Sequence, residues 1–191
     1  MKCKLFYAIH QVLLQRQGPT QEFTLSILSH ETCFEIDQII LHLSRNHTLK
    51  RLTLDFYNYT SYRIPLCVFS LHHLTDLRLE NCHVNLKPIF NGLGSLVRLT
   101  LYKIWMSRET LLHLLSGCPS LKSLCQLVED WVPEELPPSL IHLKYFCIKE
   151  LCFGESYGLD FIGVLLKCAP NLEKIRLEVN GISKVGELAS R

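Results

Sequence analysis

Nine cysteines and nine histidines give this chain many candidate nucleophiles and metal ligands. The cysteines are Cys3, Cys33, Cys67, Cys82, Cys118, Cys125, Cys147, Cys152 and Cys168. Structural zinc sites pair their ligands across short gaps, as in C-x-x-C. No C-x-x-C occurs, and the nearest clusters, Cys82-His83 and His72-His73, are directly adjacent, so no metal is expected. The odd count and scattered spacing also argue against a disulfide framework and predict reduced, mostly buried thiols. Serine-nucleophile, Walker, dinucleotide and H-E-x-x-H patterns are missing. Gly92-Leu93-Gly94-Ser95 follows Asn91 and reads as a turn, too short to cradle a phosphate. With no catalytic constellation, no enzyme activity and no cofactor are expected. The acidic residues Glu129, Asp130, Glu134 and Glu135 around Trp131 read as a solvated loop or a partner contact.

Composition narrows the remaining classes. The 191 residues are 48% apolar and 20% charged, ordinary globular usage that excludes wholesale disorder. Twenty Lys and Arg against 18 Asp and Glu leave a net charge of +2, which predicts no nucleic-acid or membrane-surface footprint. Apolar runs are too short for a membrane span. The opening Met1 to Ile9 resembles a signal peptide only until His10, Gln11, Gln15 and Arg16 interrupt it. Phe6, Ile9 and Leu13, with Leu5 and Val12, recur at helical spacing, so residues 1–17 are predicted to form an amphipathic helix. Such a chain is expected to be intracellular, in cytoplasm or nucleus.

What positions the surface is a repeat. L-x-x-L-x-L recurs as Leu49/Leu52/Leu54, Leu74/Leu77/Leu79 and Leu96/Leu99/Leu101. It continues as Leu121/Leu124/Gln126, Leu143/Phe146/Ile148 and Leu172/Ile175/Leu177, with a weaker copy at Thr20/Phe23/Leu25. Successive starts are 25, 22, 25, 22 and 29 residues apart, the spacing of leucine-rich repeats. Alternation within x-x-L-x-L predicts a short strand with one buried side, and the leading Leu packs into the same interior. Three residues past the last Leu, a small polar group would serve the turning backbone; Cys82 and Asn180 stand there, against Tyr57, Ile104, Glu129 and Leu151 elsewhere. Helices are predicted over Glu35–Asn46, Arg108–Ser116 and about Asp160–Cys168, the second capped by Ser107 and stopped at Gly117 and Pro119. Pro65, Pro88 and Gly92 predict turns or single 3₁₀ turns in the shorter units. The fold class is therefore α/β: a leucine-rich-repeat solenoid, parallel sheet on the concave face, helices and irregular turns on the convex one.

Several phrases are more specific. Gly18 to Ile27 resembles the strand after the F-box in plant F-box/leucine-rich-repeat proteins, and Cys33 to Asn46 resembles that family's first repeat helix. Gly117-Cys118-Pro119-Ser120-Leu121-Lys122-Ser123-Leu124 is similar to its recurrent helix exit. Trp131-Val132-Pro133, Pro137 to Phe146 and Leu165 to Lys174 resemble the FBD module, so residues 18–130 are read as leucine-rich repeats and 131–191 as FBD-like terminal repeats and tail. The resemblance implies a substrate-recognition part of an SCF ubiquitin-ligase adaptor. In that family the F-box binds the Skp adaptor and through it the cullin. Residues 1–17 are too short to hold an F-box, so Skp and cullin are expected partners only if one precedes them. The alternative is a truncated paralogue that competes for targets or acts as a non-ubiquitin scaffold.

Function is expected on the open face of the strands, at the third, fifth and seventh positions of each repeat. Arg51, Asp55, Arg78, Glu80, Arg98, Tyr102 and Tyr145 are the candidate protein-binding residues. Arg51, Arg78 and Arg98 cross three units as a diagonal, with Tyr102 beside it. Arg and Tyr anchor interfaces through planar hydrogen bonding and rigid area. The competing reading is that these charges keep an exposed sheet soluble and pair with Asp55, Asp76 and Glu80.

Overall fold

A computed structural model describes residues 2–16, 18–28, 34–45, 48–57, 62–86, 92–127, 138–151 and 157–179. The leucine pattern produces seven strands: β1 (Glu22–Leu28), β2 (Arg51–Tyr57), β3 (Asp76–His83), β4 (Arg98–Trp105), β5 (Ser123–Leu127), β6 (Tyr145–Leu151) and β7 (Lys174–Val179). They form one parallel sheet in chain order, β1-β2-β3-β4-β5-β6-β7. Homologous leucines stand in register, Leu52 beside Leu77 and Leu77 beside Leu99. Aligned repeats therefore stack like on like, each unit covering its neighbour's apolar side.

The core lies behind the sheet. Leu52, Leu54, Leu77, Leu79, Leu99, Leu124 and Phe146 are almost wholly buried. The leading leucines Leu49, Leu74, Leu96, Leu121 and Leu143 are each 0% exposed, so the approach to each strand is as deep in the core as the strand itself. Helices α1 (Lys2–Gln15), α2 (Phe34–Ser44), α3 (Arg108–Ser116) and α4 (Tyr157–Cys168) precede β1, β2, β5 and β7 respectively. Helix α1 lies against α2, and its Ile9 and Leu13 join the core. Ile36, Ile39, Ile40 and Leu43 seat α2. Ser107 caps α3 as predicted, its Oγ accepting the Thr110 N–H at 3.2 Å. Helices α2 and α4 begin slightly off their predicted starts, and 3₁₀ turns follow Pro65 and cover Pro138–His142. Pro88 and residues 128–137, which hold the acidic stretch around Trp131, lie outside the described residues. Among the described residues no helix is long and apolar enough to cross a membrane.

At the strand ends, Cys82 and the Ile104 that replaces a polar residue in the next unit are both buried and stand opposite each other across β3 and β4. Asn81 (φ 55°) and Lys103 (φ 51°), one residue earlier, take the left-handed conformation. Each shifts the inward–outward alternation by one, which keeps Cys82 and Ile104 inside and turns His83 and Trp105 outward. In β2 the corresponding Tyr57 is half exposed, because Phe56 takes the inward place.

Candidate protein-binding face

In-register parallel strands gather the outward positions into rows. The first row reads Glu22, Arg51, Asp76, Arg98, Ser123, Tyr145 and Lys174 across all seven strands. The second begins Thr24, Thr53, Arg78, Thr100, Cys125, Cys147 and ends at Arg176. A third carries Ser26, Asp55, Glu80 and Tyr102. The expected diagonal is thus a zigzag: Arg51 and Arg98 share a row with Asp76 between them, and Arg78 stands one pleat further along.

All three arginines are more than half exposed at the side chain. Each also has an acidic partner. Arg51 donates from Nε and Nη2 to Glu22 Oε2, at 2.9 and 2.6 Å, a contact that raises its pKa. Arg98 pairs with Asp76, and Arg78 with Glu80 on its own strand. Two of the partners anticipated from sequence are therefore present, while Arg51 takes Glu22 instead.

Asp55 and Glu80 are corrected as exposed candidates. They are adjacent across β2 and β3 and only 5% and 6% exposed. Asn81 Nδ2 donates to Asp55 Oδ1 at 2.9 Å, and Arg78 Nε donates to Glu80. Their role is to hold the strand end and to orient Arg78. Tyr102 keeps a partly open ring, flanked by the Lys103 and Lys149 ammonium groups at 5.1 and 5.2 Å from its centroid. Tyr145 has Lys174 Nζ 5.8 Å from its ring. Both tyrosines are thus cation–π acceptors as well as apolar area. Cys125 and Cys147 lie side by side in register, and Cys147 is buried although its position in the repeat faces outward. Burial, reinforced by the neighbouring Cys147 thiol, pushes the Cys125 thiol up to about 12.

Sequence reasoning missed a second outward group at the C-terminal end of the sheet. Arg63 sits opposite His83 in an isolated parallel bridge, closed by His83 N–H to Tyr62 O at 2.7 Å and Ile64 N–H to His83 O at 2.9 Å. His83 in turn is in register with Trp105. The signal available was the Arg63 position between the apolar Tyr62 and Ile64. Among the described residues no group of three or more His, Cys, Asp or Glu could hold a metal ion.

Comparison with known proteins agrees with this architecture. A family profile described as FBD-associated F-box protein At5g56370, LRR repeats, matches residues 38–145, more than half of the chain. The F-box/FBD/LRR-repeat protein At1g13570 of Arabidopsis thaliana is similar, 38% identical over 113 residues. That stretch is 59% of this chain and 27% of the relative, so the match spans about a quarter of the relative's length. Leucine register, parallel strand order and profile match converge: the chain belongs to the leucine-rich-repeat family of FBD-associated F-box proteins.

Proposed function

We propose that this chain is a protein-recognition module that binds a target through the concave face of its sheet, and that it acts by binding rather than by catalysis. The carrying observation is the exposed Arg51, Arg78 and Arg98 on three consecutive strands, with Tyr102 on the same strand as Arg98 and Tyr145 two strands further along the first row. Planar guanidinium groups and rigid aromatic rings lose little freedom when they engage a partner. Their present ion pairs are solvent-exposed on the arginine side and so are cheap to exchange for carboxylates of a target.

Membership in a family whose names join F-box, FBD and leucine-rich repeat supports a finer reading: substrate recognition for an SCF-type ubiquitin ligase, with Skp and cullin engaged through an F-box elsewhere in the protein. The reduced thiols fit an intracellular setting.

Arg78→Ala combined with Arg98→Ala is expected to weaken capture of the target while leaving the circular dichroism spectrum unchanged, with a modest drop in melting temperature because buried Glu80 loses its Arg78 donor. Undiminished capture would remove the concave assignment. Co-purification of the full-length protein with a Skp adaptor tests the finer reading separately.

A further inference from the structure

Beyond the concave rows, Arg63, His83 and Trp105 stand side by side on three adjacent chain segments at the C-terminal ends of the central strands β3 and β4. Their outward direction is enforced by what flanks them. Tyr62 and Ile64 are buried on either side of Arg63, and Cys82 and Val84 on either side of His83. Tyr62 is anchored twice, stacking on Phe56 at 4.2 Å and donating its hydroxyl to Asp37 Oδ1 at 2.5 Å. Trp105 O accepts the Val84 N–H at 3.0 Å, and the His83 imidazole stacks on the indole at 5.3 Å and 22°. The stacked imidazole–indole pair, with the Arg63 segment beside His83, thus forms a shelf carried by core-anchored strands.

The shelf walls a cleft of about 400 Å³, open on one side, that Asn85, Met106 and Ser107 help to line. Among the described residues no acidic side chain lines it, and Arg63 supplies a positive charge. Glu109 lies just beyond; its carboxylate is turned back to its own backbone N–H and the Ser107 hydroxyl. The N-terminus of α3 is capped internally, Ser107 Oγ accepting the Thr110 N–H.

We propose that this cleft is a second recognition site, which takes an acidic-aromatic peptide segment of a protein partner. A carboxylate is held by Arg63, and the adjoining aromatic side chain lies on the Trp105–His83 shelf. Guanidinium matches carboxylate in plane and charge, and an indole face favours a flat apolar group. The volume is that of a site for a few side-chain groups. A peptide fits better than a free small molecule, because the cleft is open and continues the strands that carry Glu80 and Tyr102. The exposed Asn85 amide offers both a donor and an acceptor to a backbone. This site rests on the reading of the chain as a protein-binding module but uses none of the concave arginines.

The test is fluorescence polarisation with a labelled heptapeptide carrying Glu beside Phe, its Gln-for-Glu counterpart, and free 3-phenylpropionate as competitor. The acidic peptide is expected to bind saturably. Replacing Glu by Gln, or Arg63→Ala, should each raise Kd by about tenfold or more, and Arg63→Lys by less, since charge stays but the fork is lost. Trp105→Leu should weaken binding similarly, with melting curves confirming the fold. Arg78→Ala/Arg98→Ala should leave peptide binding unchanged, which separates this site from the concave face. No saturable binding, or equal affinity for the Gln peptide or the Arg63→Ala protein, overturns the proposal. Competition by phenylpropionate as strong as by unlabelled peptide overturns the peptide assignment in favour of a small carboxylate.

Discussion

At the scale of single residues, the two carboxylates Asp55 and Glu80 show how far position in a repeat can mislead. Both occupy an outward place, yet neighbours cover them, and each depends on a donor from β3. Asn81 does two jobs there: it donates to Asp55 and accepts a φ of 55°. Asn81→Ala is expected to cost about 1–3 kcal/mol in urea unfolding, because a buried acceptor loses its donor and the backbone loses a tolerant residue. Asn81→Gly keeps the backbone tolerance and should cost less; equal losses would mean that only the hydrogen bond matters. The thiols make a second prediction. Burial pushes Cys118 up to about 12 from an ordinary 9.0, and burial raises Cys82 and the Tyr62 hydroxyl as well. Below about pH 9 both states keep the Cys118 proton and stability is unaffected; as pH rises from there toward about 12 the unfolded chain releases it first. Stability should therefore fall with alkaline pH, and Cys118→Ala should flatten that slope in urea midpoints measured from pH 8 upward.

At the scale of elements, the turn before β4 is held by a close approach. Gly92 has φ +83°, and a Cβ there would lie 2.6 Å from the Gly117 carbonyl oxygen, the same oxygen that accepts the Leu93 N–H at 2.7 Å. Gly92→Ala should therefore destabilise by about 1–3 kcal/mol, and it should also loosen the end of α3. Ser107→Ala, which removes only a cap, should cost about 1 kcal/mol. A thermal melt in which Gly92→Ala matched the wild type would refute the account. Much of this level was legible in the sequence. Leucine spacing placed every strand, and Ser107 with Gly117 marked both ends of α3. What was hidden are features that arise between neighbouring strands and segments. Asn81 is of a type that tolerates a left-handed backbone, but nothing in Lys103 announces one. The bridge from Arg63 to His83 joins residues with no leucine pattern between them, so the aromatic shelf could be seen only once the sheet was assembled.

At the scale of the whole molecule, stability is distributed along one dimension. Each strand contacts only its two neighbours, and the described sheet ends at β7, where Ile175 and Leu177 remain 40% and 45% exposed. Strands β3 and β4 carry buried leucines and lie at the middle of the stack, furthest from both of its ends. Native-state hydrogen exchange should accordingly be slowest in β3 and β4 and fastest in β7. Uniform protection across all seven strands would show that the stack opens only as a unit.

The first outward row also acts as a ruler. Parallel strands in register stand about 4.8 Å apart, so the Arg51 and Arg98 backbone positions, separated by β3, repeat at about 9.6 Å across the strands. A left-handed polyproline-type helix laid across the strands brings every third side chain to the same side after about 9.3 Å. A flat β-strand offers same-side groups only every second residue, about 6.8 Å apart, and falls out of step. The sheet's pitch thus favours, among ligands crossing it, chains with acidic groups at every third place.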